Sequence, residues 1–188
     1  MRYEKGRKET TRRRIVEIAA RRFRDEGVDG VGVATLMAGA GLTHGGFYAH
    51  FDSKEELVRQ AVDDALAASA DNLAKVQAEG GVEAVIRHYL SPRHRDNPGA
   101  GCAIAALAPE IARHPEATRM VLAQGTERFA AVLAPHMGAV DADERRARAN
   151  ALVALIMGTL QLARVEPDAE RSAAILESGI AAALRLLG

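Results

Sequence analysis

Residues 36–56, which read LMAGAGLTHGGFYAHFDSKEE, decide how this chain folds. Leu36 and Ala40 have the spacing of a short apolar helix, and Gly41 follows where that helix would end. Thr43 stands at the capping position of a second short helix, which carries most of the aromatic residues of the stretch. Two short helices joined by a tight turn that contains glycine predict a helix-turn-helix, whose second helix enters the major groove of DNA.

The helix after this stretch is predicted to be long. Ser53 and Glu56 form an S-x-x-E capping box, and no helix breaker follows until Gly80 and Gly81. A helix of roughly 25 residues is about 37 Å long. We therefore expect it to connect the helix-turn-helix to the rest of the chain.

The helix before the stretch is predicted to begin at Thr10. Its apolar stripe consists of Ile15, Ile18, Ala19 and Phe23, and Gly27 is placed to end it. Residues 1–8 lack this periodicity, and we expect them to form a mobile arm.

The remaining sequence predicts only helices. Helical patterns cover residues 82–90, 102–113, 116–137, 141–164 and 168–187. The proline- and glycine-rich segment 91–101 predicts a loop, and Pro109 should kink or interrupt its helix. The prediction is an all-α chain of about nine helices, with a helix-turn-helix domain at residues 1–52 and a regulatory and dimerisation bundle at residues 53–188.

Charge is distributed unevenly although the formal net charge is zero. Residues 1–24 contain ten Lys and Arg against three Asp and Glu, a net charge of +7, whereas residues 25–188 contain 15 against 22, a net charge of −7. A basic segment beside a helix-turn-helix is typical of a DNA-binding surface.

Several classes of protein are disfavoured by the sequence. The single cysteine excludes an intrachain disulfide framework and fits a cytoplasmic protein, and no apolar run is long enough for a membrane span. The chain has no G-x-S-x-G elbow, P-loop or G-x-G-x-x-G motif, and His88, His94, His114 and His136 lack metal-ligand spacing. We therefore predict neither an enzyme nor a metal or cofactor.

The stretch LMAGAGLTHGGFYAHFDSKEEL at Leu36–Leu57, preceded by IVEIAARRFRDEG at Ile15–Gly27, resembles the TetR family of bacterial transcriptional regulators. The resemblance covers about the first third of the chain. It implies a homodimeric repressor that binds a palindromic operator and releases it when a small molecule binds the C-terminal domain. The residues that it assigns to DNA contact are Thr35, Thr43, His44, Gly45, Tyr48, His50 and Lys54.

Two departures from the family pattern affect the expected DNA contacts. Ala34 stands where relatives often have a polar or basic residue, which leaves Thr35 to replace a missing contact. Gly45 and Gly46 leave few side chains for base edges, so His44 is the expected base reader and DNA shape gains importance. Alternative roles are packing for Tyr48 and helix capping for His50.

A ligand pocket is expected among the C-terminal helices, for a hydrophobic or amphipathic small molecule. The candidate lining residues are Leu73, Tyr89, Cys102, Leu107, Glu110, Met120, Phe129, Met157 and Gln161. For Cys102 the alternatives are a redox sensor and, favoured by its apolar neighbours, a small buried hydrophobe. For Glu110 the alternative is a solvated helix face.

Dimerisation is predicted through the helices at 141–164 and 168–187, which carry small and apolar residues at helical spacing. The candidate contact residues are Ala147, Ala151, Ala154, Leu155, Gly158, Ile175, Gly179, Ala182 and Leu186. The competing hypothesis is a DNA-binding protein that responds to no ligand and whose C-terminal domain only dimerises. The sequence identifies neither the ligand, the operator and the regulated genes, nor whether transcription is repressed or activated.

Overall fold

The computed structural model describes residues 2–138 and 141–187, and describes residues 2–5 by their backbone only. Within these ranges every regular element is helical, so the all-α prediction is confirmed. Eight α-helices and three 3₁₀ helices follow one another as α1 (Arg2–Glu26), α2 (Val33–Gly39), η1 (His44–Ala49), α3 (Lys54–Tyr89), α4 (Pro92–Asp96), η2 (Pro98–Ala100), α5 (Ala103–Ile111), α6 (Glu116–Leu133), η3 (Ala134–His136), α7 (Ala142–Val165) and α8 (Ala169–Leu187).

Helix α1 begins at Arg2, so the prediction of a mobile arm at residues 1–8 is wrong for the residues described. The segment lacks an apolar stripe, which is why periodicity alone did not extend the helix to it. Arg, Lys and Glu are nevertheless good helix formers, and adding residues to an existing helix costs far less than nucleating one.

Two glycines end or redirect helices where the sequence predicts it. Gly27 adopts a φ of 78° directly after α1, and its N–H donates to the carbonyl of Phe23 at 2.9 Å. Gly81 adopts a φ of 71° inside α3, which divides that helix into two parts at the predicted breaker. Both are left-handed backbone conformations that residues with a Cβ rarely adopt.

The predicted loop at residues 91–101 is wrong in part, because α4 and η2 lie within it. The side chain of Ser91 accepts a hydrogen bond from the His94 N–H, and Pro92 occupies the first turn. Serine at the N-cap followed by proline is a helix-start signal, which the proline and glycine content of the segment obscured.

The predicted interruption at Pro109 is also wrong, because α5 continues through Pro109 to Ile111. The fixed φ of proline is itself helical, and the cost lies in a missing N–H donor and in crowding of the preceding turn. Proline at this position therefore leaves one hydrogen bond of the preceding turn unmade without ending the helix.

The chain divides into two compact units, residues 1–68 with 99–122 and residues 69–98 with 123–188. The first unit therefore contains the start of α3 and all of α5 in addition to α1, α2 and η1. The division proposed from the sequence, at residue 52, concerns function and remains a prediction.

Each unit has its own apolar core. Ile15, Phe23, Leu36, Phe47 and Phe51 are almost completely buried in the first unit. The second unit buries a corresponding set on α3, α6, α7 and α8, whose members include Ile86, Tyr89, Leu133, Leu152, Ile156, Leu160 and Ala183. Among the described residues, no helix is long and apolar enough to cross a membrane.

Helices α7 and α8 pack closely because Gly179 has no side chain. A Cβ built on Gly179 overlaps the side chain of Thr159, which is itself 8% exposed. Gly179 thus packs inside one chain, which corrects its prediction as a contact between subunits.

Replacing Gly179 with Ala should separate the two helices and destabilise the fold by about 1–3 kcal/mol, the usual cost of overpacking. Urea unfolding measures this as a lower midpoint. Ser178→Ala, at an exposed position of the same helix, is the control and should stay within about 0.5 kcal/mol of the parent. An unchanged midpoint for Gly179→Ala would contradict the packing argument.

Candidate nucleic-acid interface

A tight turn joins α2 to η1 in the first unit. Gly41 leaves α2 with a φ of 73°, and the Leu42 N–H donates to the Met37 carbonyl at 2.9 Å. Thr43 is extended at the N-cap of η1, and its side chain makes no capping hydrogen bond. The result is a helix-turn-helix whose second element is a 3₁₀ helix of six residues.

The two faces of η1 have different surroundings. Phe47 is 1% exposed and its ring lies 5.4 Å from that of Phe51, which is equally buried, so both belong to the core. Tyr48 meets Phe47 edge to face but is 68% exposed. Packing against Phe47 thus covers only part of the Tyr48 side chain, and the rest is accessible to a partner.

The residues predicted to contact DNA differ in how exposed their side chains are. Thr35 on α2 is exposed, as are Thr43, His44, Gly45 and Tyr48 at η1, whereas His50 and Lys54 are half-buried. Gly45 has open space where a Cβ would be, so it adds neither a side chain nor an obstruction to this surface.

His50 lies at the end of η1. Its backbone N–H caps the helix by donating to the Phe47 carbonyl at 2.9 Å, while the buried Nδ1 atom has no hydrogen-bond partner among the described residues. Burial lowers the pKa of His50, and the positive charges of Lys8 and Arg12 lower it further. The neutral imidazole is therefore favoured in the free protein.

The amine of Lys54 is occupied within the unit. Its Nζ donates to the Val28 carbonyl at 2.7 Å, in the turn between α1 and α2. A phosphate contact by Lys54, as the sequence predicts, requires the amine to share or leave this carbonyl.

Glu110 on α5 holds the same turn from its other side. Its two carboxylate oxygens accept hydrogen bonds from the Val28 N–H at 2.9 Å and the Asp29 N–H at 2.7 Å. Hydrogen bonds from backbone N–H groups to a carboxylate are stronger than those between neutral groups. The sequence did not predict this role, since its partners lie more than 80 residues away.

Two further polar contacts join the C-terminal segment of this unit to its first helices. The Gly99 N–H donates to Asp25 at 2.7 Å, and Arg24 donates to the Gly99 carbonyl through two nitrogens at 2.9 and 2.5 Å. The carboxylate of Glu55 accepts from the Thr118 hydroxyl at 2.5 Å and lies 2.9 Å from His114 Nδ1. Residues 99–118 are thus fastened to α1 and α3 at several points.

The start of α3 is fastened to α1 as well. Ser53 Oγ accepts from the Glu56 N–H at 3.1 Å, which confirms one half of the predicted capping box, whereas the Glu56 carboxylate accepts from the Asp52 N–H at 2.7 Å rather than from Ser53. Glu56 also pairs with Arg12 at 2.6 Å. These contacts, with the Asp52 N–H as the largest contribution, lower the pKa of Glu56.

The predicted ligand-lining residues are not all in one unit. Leu73, Tyr89, Phe129, Met157 and Gln161 belong to the second unit and Cys102, Leu107, Glu110 and Met120 to the first. In the second unit the structure brings Tyr89 and Phe129 together as a ring stack at 5.4 Å. In the first, Met120 is 52% exposed and Cys102 is buried. The assignment to a ligand site stays a prediction.

The four scattered histidines have different partners. His88 lies against Asn72, His114 against Glu55 and His136 against Gln77. Burial lowers the pKa of His94 to about 4, and its Nδ1 is 2.7 Å from the Tyr89 carbonyl. Within residues 2–138 and 141–187 no three His, Cys, Asp or Glu side chains are grouped to hold a metal ion.

Part of the sequence of the first unit matches known bacterial regulators. Residues 4–61 match the family model of bacterial regulatory proteins, tetR family. The HTH-type transcriptional regulator TtgR of Pseudomonas putida is 43% identical over 65 residues. That match covers 35% of this chain and 30% of the relative, so the similarity in sequence spans less than a third of the relative's length.

Solved structures match the fold over nearly the whole chain. The reduced form of NemR from E. coli superposes with a TM-score of 0.77 at 22% identity, covering 94% of this chain and 96% of that one. A TetR-family regulator from Cytophaga hutchinsonii gives a TM-score of 0.78 at 21% identity, covering 96% of each chain. At such identities the similarity establishes the fold.

Replacing Glu110 with Ala should release the turn between α1 and α2. Hydrogen bonds to a charged group contribute about 1.5–3 kcal/mol each, so unfolding of the first unit should become easier by a few kcal/mol. Amide hydrogen exchange at Val28 and Asp29 should accelerate more than at other turns. Glu116→Gln, at an exposed position on α6, is the control, and unchanged exchange at both amides would contradict this role of Glu110.

Proposed function

We propose that this protein is a DNA-binding transcriptional regulator, because residues 4–61 match the family model of bacterial regulatory proteins, tetR family. It binds a near-palindromic operator as a homodimer and represses transcription until a small molecule releases it. Such a regulator acts on DNA in the cytoplasm.

One observation supports the DNA-binding role above the others. The segment that matches the family model is the one that forms the helix-turn-helix, and the exposed face of η1 presents polar side chains rather than apolar ones. A core built on Phe47 and Phe51 holds that face in place.

The exposed residues of the helix-turn-helix have two proposed roles. His44, at the start of η1, contacts a base edge, because no other residue near that end offers a long polar side chain. Thr35, Thr43 and Tyr48 donate to phosphates, and the half-buried His50 and Lys54 join them once DNA is bound. Gly45 allows the backbone to approach the duplex. Phosphate contacts position the protein and base contacts select the sequence.

The dimer is proposed to form through α7 and α8. Ala147, Ala151, Ala154, Gly158 and Leu162 form an exposed stripe along α7, which continues to Val165. Leu162 and Val165 are 62% and 76% exposed, although large apolar residues of a helical bundle are usually covered. A second copy with the same stripe would cover both, and the small residues would let the helices approach closely.

The proposed ligand is a hydrophobic or amphipathic small molecule that binds in the second unit near Tyr89 and Phe129. Two contacts support the alternative, a regulator that responds to no ligand. The rings of Tyr89 and Phe129 already stack on each other, and Glu110, the best candidate for a polar ligand contact, is engaged by the turn at Val28.

Selection of binding sites from random duplexes with the purified protein tests the DNA-binding role. The expected result is an inverted repeat whose half-sites are about one helical turn, roughly 34–36 Å, apart. Failure to enrich any sequence would reject it. A reporter carrying the selected site then distinguishes repression from activation. A displacement screen on the same site distinguishes a ligand-controlled regulator from its alternative.

Substitutions at η1 should separate affinity from specificity. Tyr48→Phe removes a phosphate donor and should weaken binding to specific and random duplexes alike, by about tenfold. His44→Ala should instead lose about 1–3 kcal/mol of discrimination at one base position. Competition binding with single-base variants of the selected site measures both. Lys75→Ala, exposed in the second unit, serves as the control. Unchanged discrimination would remove His44 as the base reader.

Replacing Leu162 with Lys should place two unpaired charges in the dimer interface, one from each subunit. Burying such a charge costs several kcal/mol, so the dimer should dissociate at least tenfold more readily and operator binding should fall with it. Light scattering across protein concentrations measures the change. Met120→Lys alters another exposed apolar residue and should leave the dimer intact. A Leu162→Lys protein that remains a dimer to the same dilution would rule out this interface.

A further inference from the structure

The N-terminal turns of α1 extend beyond the core that anchors the rest of the helix. Residues 6–10 are exposed, and the first buried residue of the helix is Ile15. The segment 2–14 contains seven Lys and Arg against two Glu, a net charge of +5. At 1.5 Å per residue it is about 20 Å long. A helix of this length is marginal alone, so its continuity with the packed half of α1 supports it.

Arg12 fixes where this basic segment lies. Its guanidinium pairs with Glu56 at 2.6 Å, and its Cζ atom lies 4.4 Å from the centre of the Phe51 ring. This turn of α1 therefore lies against the end of η1 and the start of α3. Lys8 is one turn closer to the N-terminus on the same side of the helix, since residues four apart are neighbours.

The electrostatics at His50 agree with this placement. Burial is the largest cause of the lowered pKa of His50, and the charges of Lys8 and Arg12 follow. The charge of Lys8 thus acts on the same end of η1 as the charge of Arg12, in agreement with their spacing along α1. The basic segment and the exposed Tyr48 thus belong to one end of the first unit.

The composition of the segment selects the kind of partner. Residues 6–14 read GRKETTRRR and contain no apolar residue, whereas a helix that lies on a membrane needs an apolar face. A continuous polyanion suits an exposed cationic helix better, and duplex DNA carries one charge per about 1.7 Å of axis.

We propose that the N-terminal turns of α1, centred on Lys8, form a second DNA-binding surface that contacts phosphates next to those reached by η1. The proposal rests on the proposed function, since it concerns the same DNA. Phosphate contacts carry no sequence information, so this surface adds affinity for every duplex and leaves the preference for the operator unchanged.

Salt-dependent binding of the full chain to its selected operator and to a random duplex tests the proposal. Lys8→Gln should lower the slope of log affinity against log salt by about 0.9, so that its affinity falls about 3.5-fold less than that of the parent between about 50 and 200 mM salt. Lys8→Arg keeps the charge and should keep the slope. Arg21→Gln removes the same charge from a position 76% exposed and about 20 Å further along α1, and should also keep the slope.

The outcomes distinguish the two proposals. A parent protein that binds no selected duplex would reject the proposed function itself. If the parent binds and Lys8→Gln has the parental slope, the second surface is rejected. The proposal is also overturned if the protein binds vesicles of phosphatidylcholine and phosphatidylserine in a way that depends on Lys8 while the salt slopes on DNA are equal. That result would assign the helix to a membrane surface. The proposal is supported if Lys8→Gln loses the same affinity for the operator and for the random duplex while its circular dichroism is unchanged.

Discussion

The turn between α1 and α2 is held from two sides, by the carboxylate of Glu110 and the amine of Lys54. Glu110 accepts hydrogen bonds from the backbone N–H groups of Val28 and Asp29, and Lys54 donates one to the Val28 carbonyl. Helices α2 and η1 have only seven and six residues, so the three helices bury little apolar surface among themselves. Polar contacts from α5 and α3 therefore complete what the small core begins, and the compact unit includes residues 99–122 for this reason.

This bracing matters because the DNA-facing element is poor in side chains. Gly45 and Gly46 leave η1 with His44 and Tyr48 as its long polar groups. An element with few direct contacts gains most when its backbone is already in position, since ordering it on binding would consume part of the interaction energy. The chain has no net charge to attract DNA at long range, so the attraction must come from the local concentration of cations on α1.

Sequence reasoning succeeded where the physical cause was local. The capping box at Ser53 and the breakers at Gly27 and Gly81 depend on residues within one turn, so their patterns were sufficient. It failed where the cause was distant: the role of Glu110 depends on N–H groups 81 and 82 residues away, and that of Gly179 depends on Thr159. The prediction for Arg2 to Thr10 failed for a different reason. Helix α1 extends through this segment because its residues form helix readily and adjoin an existing helix, and no apolar stripe marks the extension.

The Val28 carbonyl accepts a hydrogen bond from the Lys54 cation, and the Val28 N–H donates one to the Glu110 anion on α5. A DNA contact by Lys54 therefore affects the same turn that α5 contacts. In the proposed complex the Lys54 amine exchanges its bond to the Val28 carbonyl for a phosphate, and losing that charge-assisted hydrogen bond costs about 1.5–3 kcal/mol, which the phosphate contact offsets. The carbonyl left behind must then find water or another donor, whereas the N–H bonds to Glu110 persist. DNA binding and α5 therefore act on the same turn without excluding each other. A movement of α5 that withdrew Glu110 would disturb the turn on which Lys54 and α2 both rest.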